Sequence, residues 1–105
     1  MTTNFERYKM EEQKYYIVSK KHMRRNEQNF LLWGTNFRGY TIDAAKAGQY
    51  TEEEVRAKYG EEFPIVEDNF YYYIHKAKID NFLIPVDEEI LKQIGVQKVT
   101  VLTYL

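Results

Sequence analysis

The chain of 105 residues contains no cysteine. That excludes disulfide scaffolds, zinc–thiolate sites and cysteine nucleophiles. With two prolines and five glycines, it has no low-complexity tract, internal repeat or domain linker. Uncharged apolar runs reach only about five residues, so neither a transmembrane helix nor a secretory signal is expected. An excess of one charge sign is missing too, with 15 Lys and Arg against 16 Asp and Glu. A wholesale mimic of DNA would be far more acidic, and a nonspecific DNA binder more basic. Only two histidines are present, His22 and His75, and they lack the close spacing of metal-ligand motifs.

Aromatic residues are plentiful: ten Tyr, six Phe and one Trp. Disordered segments do not carry so many. The length predicts one domain able to bury a core, soluble and cytoplasmic. Charge is polarised along it. Residues 1–48 hold nine basic against five acidic side chains, a net of +4, and residues 49–105 hold six against eleven, a net of −5. The basic density peaks at Lys14, Lys20, Lys21, Arg24 and Arg25, and the acidic density between Glu52 and Asp68. Such polarity steers charged partners, or else the two halves neutralise each other across the surface.

Local pattern predicts an α+β domain over 14–105, preceded by a flexible arm over 1–13. The run Tyr15-Tyr16-Ile17-Val18-Ser19 suits a strand over 14–22. A hairpin loop at 24–29 and a second strand over 30–33 follow. Residues 34–50, with Gly34, Gly39 and Gly48, read as a long loop. Thr51-Glu52-Glu53-Glu54 forms a capping box, Tyr50 and Val55 occupy staple positions, and Gly60 closes the helix over 52–59. Strands are expected over 70–75, 82–84 and 99–104. A helix over 87–93 is capped by Asp87 and closed by Gly95. The expected architecture is a small, mostly antiparallel sheet with both helices on one face.

Chemistry is sparse in this pattern. Ser19 and His22 stand three apart on a strand and so point to opposite faces. Glu52 to Glu54 are already accounted for as helix-start residues. No catalytic residue, metal ligand or cofactor is assigned. The loop Gly34-Thr35-Asn36-Phe37-Arg38-Gly39-Tyr40 offers amides, a guanidinium and stacking rings to a nucleotide, though it lacks the P-loop and dinucleotide fingerprints. Its alternative role is a turn whose glycines supply positive φ while Trp33 and Tyr40 enter the core.

The strings Tyr15-Tyr16-Ile17-Val18-Ser19 with Lys21-His22, Leu32-Trp33-Gly34, Gly39-Tyr40 and Ala47-Gly48-x-Tyr50, with Ile84-Pro85-Val86 later, resemble a family of small phage and prophage proteins. The resemblance spans about residues 15–90 and implies a mobile-element accessory protein made inside a bacterium. Small proteins of that origin often bind and block host machinery, CRISPR systems included, an analogy of origin and not of site. The resulting expectation is a non-enzymatic, anti-CRISPR-like inhibitor that occludes a host protein or nucleoprotein complex. Its candidate partner-binding residues are Lys20, Lys21, Arg24, Arg25, Trp33, Glu53 and Glu54. The alternative is a nucleotide-sequestering protein whose ligand meets Arg38, Gly39 and Tyr40.

Overall fold

A computed structural model of the chain describes residues 12–21 and 30–96. Its strands are β1 (Lys14–Ser19), β2 (Leu31–Trp33), β3 (Tyr40–Thr41), β4 (Tyr50–Thr51) and β5 (Asn81–Pro85). Its helices are α1 (Glu52–Tyr59), α2 (Phe70–His75) and α3 (Glu88–Ile94). The chain is therefore α+β, as its pattern predicts, with an antiparallel five-stranded sheet. Among the described residues no helix is long and apolar enough to cross a membrane.

β1 lies at the centre. Its aromatic and β-branched residues favour a pleated conformation, and all from Tyr15 to Ser19 are buried. β5 runs beside it from Tyr15↔Pro85 to Ser19↔Asn81. The opposite edge is divided: β4 pairs with Lys14 and Tyr15, and β2 with Val18 and Ser19. β3 extends β2 outward. On the far side of β5, Ile65 forms a parallel bridge to Leu83, with Val66 N–H donating to the Leu83 carbonyl and Leu83 N–H to that of Pro64, each at 2.8 Å.

Both faces of this sheet carry a core, because the pleat sends alternate residues to opposite sides. Tyr16, Val18, Leu32, Phe82 and Ile84 pack on one face with Phe70 and Ile74 of α2 and Leu91 of α3. Tyr15, Ile17, Tyr50 and Leu83 pack on the other with Val55 of α1 and Phe63. The expectation of both helices on one face is thus corrected: α1 and α3 cover opposite faces. The continuous apolar runs of β1 and β5 are the sign of strands buried on two sides.

The capping box at α1 forms as expected: the Thr51 hydroxyl accepts from Glu54 N–H at 3.1 Å, and Glu54 Oε1 accepts from Thr51 N–H at 2.8 Å. Asp87 Oδ1 accepts from the amides of Glu89 and Ile90 at the start of α3. Gly95, at φ 84°, closes that helix. Its N–H donates to the Lys92 carbonyl and that of Val96 to the Leu91 carbonyl, a Schellman arrangement.

Three further expectations are corrected. Residues 70–75 are helix α2, not a strand. Phe70 and Ile74 are buried while Tyr71, Tyr72 and His75 are exposed, a helical stripe with period near 3.6 that outweighs the strand preference of tyrosine. The loop over 34–50 contains β3 and two tight 3₁₀ turns, at Thr35–Phe37 and Ala44–Lys46. β1 ends at Ser19. The expected arm up to residue 11, the hairpin loop at 24–29 and the strand over 99–104 lie outside the described residues, as does His22.

Leu83 is fully buried between β1 and the 64–66 segment. Leu83→Ala is expected to lower unfolding free energy by about 2–5 kcal/mol, whereas Thr51→Ala costs about 1 kcal/mol through the lost cap. Urea denaturation checks both; a Leu83→Ala loss no larger than that of Thr51→Ala contradicts the two-sided burial.

Candidate functional site

The residues from Trp33 to Tyr50 fold back on one phenol. Tyr50 enters the core beside Tyr15, its partner across the β1–β4 ladder. Its hydroxyl donates to the Gly34 carbonyl and accepts from Phe37 N–H at 2.9 Å. The Phe37 ring stacks on the Tyr50 ring, with centroids 4.4 Å apart. Gly48 must be glycine, since a Cβ there would stand 2.5 Å from the Tyr50 phenol oxygen and 2.6 Å from the Gly34 carbonyl oxygen. Its N–H donates to the Trp33 carbonyl at 2.9 Å. Trp33-Gly34 and Gly48-x-Tyr50, distant in sequence, therefore form one joint.

The turn held by this joint is strained. Asn36 and Phe37 both have φ of 56°. Asparagine tolerates that region, but a bulky phenylalanine rarely enters it. Such a conformation costs about 1–3 kcal/mol and persists only where its surroundings enforce it. Here Tyr50 supplies both the hydrogen bond and the stacking surface, while Lys58 Nζ lies over the Phe37 ring, 4.9 Å from its centroid.

Between this turn and the start of α1 is a recess of about 390 Å³, lined by Thr35, Asn36, Phe37, Gly48, Gln49, Tyr50 and Glu54. The loop over 34–50 thus encloses space, but Arg38, Gly39 and Tyr40 are not among its walls. Arg38 and Gly39 are exposed, and Tyr40 packs its ring edge against Trp33. The lining contains one charged group, the Glu54 carboxylate, and no cation. A hydrogen bond from Thr51 N–H, aided by the Thr51 hydroxyl and Lys14, holds that carboxyl below the usual range against a smaller opposing effect of desolvation.

Several residues expected to meet a partner serve the fold. Trp33 donates from Nε1 to Asn81 Oδ1 at 3.2 Å and sits edge-on to Phe37, Tyr40, Tyr59 and Phe63. Lys20 Nζ donates to the carbonyls of Tyr73 and Ala77, closing the C-terminal end of α2. A cation is favourable there, although burial pushes its pKa down despite the opposing field of Asp80. Lys21 and Glu53 are exposed, as is Glu54 despite its capping bonds. Arg24 and Arg25 lie outside the described residues. Among those described, no three His, Asp or Glu side chains gather as metal ligands would.

No family model, curated protein or solved structure matches this chain.

Asn36 and Phe37 belong to the loop that the sequence offers to a ligand, but the contacts were assigned to Arg38, Gly39 and Tyr40, and Gln49 was not singled out. The available signal was the pairing of Gly34 with Gly48-x-Tyr50, which marks a close approach of two backbones without identifying what lies between them.

Tyr50→Phe is expected to cost about 1–3 kcal/mol, because two polar groups lose their partner. Desolvation, with smaller electrostatic effects from Glu54 and Tyr59 and an opposing hydrogen bond from Phe37, raises the Tyr50 pKa above 10.0; burial first and then Glu52 and Glu67 raise that of Tyr15. A raised folded-state pKa contributes stability that is full below the unfolded value and is lost as pH rises through the folded one. Lys20, with its pKa lowered, acts in the opposite sense over the same alkaline window. Urea midpoints taken between about pH 9 and 11 should fall less steeply for Tyr50→Phe than for the parent. Equal slopes would remove Tyr50 as a source of the alkaline loss.

Proposed function

We propose that this chain is a small, non-enzymatic, phage-type binding protein that inhibits a bacterial defence system by occluding a host protein or nucleoprotein partner. The observation that carries this reading is a set of large apolar side chains exposed at the surface. Ile42 is 70% exposed, Tyr71 67%, Tyr72 52% and Tyr40 44%. Tyrosines presented on a rigid frame bring contact area with few rotors to immobilise, which is why they recur at the energetic centres of interfaces. Tyr71 and Tyr72 project from α2, which Phe70 and Ile74 anchor to the core and Lys20 closes. Ile42 follows β3 at the rim of the sheet.

The phage and prophage motifs support the same reading from the sequence side. Most of their described residues fall in β1, the Trp33–Gly34 corner, the Gly48–Tyr50 joint and the end of β5, which form the scaffold, while Tyr40 is among the exposed side chains. Within the earlier partner-binding set, Lys21 and Glu53 remain outward-facing charges, available to steer association.

A second reading is favoured by the recess: a small ligand held in the 34–50 loop. Its lining does not suit the phosphate of a nucleotide, since a carboxylate faces the space and Arg38 does not.

Expression in bacteria carrying an active CRISPR or other defence system tests the first reading. The parent protein should restore plating of a targeted phage, and Tyr71→Ser with Tyr72→Ser should reduce that effect by about tenfold or more, as for loss of interface anchors. Both proteins should melt at similar temperatures, because the replaced side chains are exposed. Full activity of the double variant would remove α2 from the interface, and no protection against any system would overturn the proposed function.

A further inference from the structure

We propose that the recess beside Tyr50 is a binding site for an alkyl guanidinium group, such as the side chain of arginine. The inference rests on the second reading above, that the 34–50 loop holds a ligand, and names the chemistry of that ligand. Three of the donors beside the recess are already committed. The Tyr50 hydroxyl donates to the Gly34 carbonyl, Phe37 N–H donates to Tyr50, and Gly48 N–H donates to the Trp33 carbonyl. What remains includes a free carboxylate oxygen and two carboxamides, which donate as well as accept. Glu54 spends Oε1 on Thr51 and retains Oε2, and Asn36 and Gln49 add carboxamides at the rim.

With Glu54 the one charged side chain in the lining, a cation with several N–H groups can bond its carboxylate directly, whereas an anion finds no charged partner there. Two cations flank the recess, Lys58 over the Phe37 ring and Lys14 acting on Glu54 from β1, so selection rests on directed bonds to the free carboxylate oxygen and not on net charge. A planar guanidinium offers five donors in a fork that matches a carboxylate and flanking amide oxygens, whereas a single ammonium makes fewer directed bonds. The volume of about 390 Å³ falls in the lower part of the range of about 300–1,000 Å³ for small-ligand clefts, ample for a side chain of this size.

The full chain labelled with ¹⁵N provides the test, with four probes: L-arginine, acetyl-glycyl-arginyl-glycine amide, L-citrulline as the neutral counterpart, and AMP as the phosphate. Saturable shifts of the Asn36, Phe37 and Gln49 amides by the guanidinium probes, and not by citrulline or AMP, are expected. Tighter binding of the peptide identifies a protein-borne arginine, and equal or weaker binding identifies a free guanidine; either supports the assignment. Glu54→Gln keeps a capping oxygen for Thr51 N–H while removing the charge, and should weaken binding by about tenfold. Gln49→Lys places a cation on an exposed rim position and should abolish binding even if Glu54→Gln proves unstable. Shifts caused equally by citrulline or AMP would overturn the guanidinium assignment and leave the loop a ligand site. No shift with any probe would overturn both, and unchanged affinity in both variants would overturn the assignment alone.

Discussion

Strand β1 is hydrogen-bonded along both edges and buried on both faces, and every other described element takes its place from that double constraint. Backbone amides inside a core must be paired, so β5 covers one edge while β4 and β2 divide the other. The division matters for the loop between them. Since β2 leaves β1 at one end and β4 rejoins it at the other, residues 34–49 must bridge the gap, with Phe37 packed on the Tyr15 and Ile17 face and Ala44 and Ala47 on the Tyr16 and Val18 face. The recess and the strained turn at Asn36 and Phe37 both stem from that detour.

Aromatic residues make the detour rigid. Trp33 is ringed by four edge-on neighbours, Tyr59 stacks on Phe63, and Tyr50 stacks on Phe37. Offset and edge-to-face contacts of this kind add about 0.5–1.5 kcal/mol beyond the area they bury. A loop that would otherwise be a mobile connection becomes an extension of the core, able to hold a side chain in left-handed backbone. Basic residues contribute in the same way. Lys20 bonds the end of α2, and Arg56 donates to the Phe63 carbonyl at 2.6 Å while pairing with Glu52 and Glu61. The exposed ion pairs add little by themselves; the bond to a part-buried carbonyl is what ties α1 to the turn that follows it.

The proposed function takes its form from this internal economy of groups. Trp33 and Lys20 are held in the scaffold, so the proposed recognition falls to exposed side chains, Tyr71, Tyr72 and Ile42, and to the polar groups around the recess. These surfaces are of different character. The outward tyrosines suit a broad protein contact, whereas the recess suits one charged group.

Much of the fold was legible in the chain. The capping box at Thr51, the Asp87 cap, the Gly60 and Gly95 stops and the strands around Ile17 and Leu83 all appear where local chemistry places them. These features are written within a few residues: a cap needs its partner three positions on, and a strand needs β-branched or aromatic neighbours. Helix α2 was less legible, because Phe70-Tyr71-Tyr72-Tyr73-Ile74 satisfies strand propensity and helical spacing at once, and the docking of Phe70 and Ile74 on the sheet chose between them. The placing of α1 and α3 on opposite faces, the enclosure of Trp33, the capture of Lys20 by α2 and the joining of Gly34 to Tyr50 were left entirely to tertiary structure. Each depends on groups 16 or more positions apart, as with Lys20 and Ala77 or Tyr50 and Gly34. No local pattern encodes which distant backbone will meet a given side chain; only the packing of the two-faced sheet brings them together.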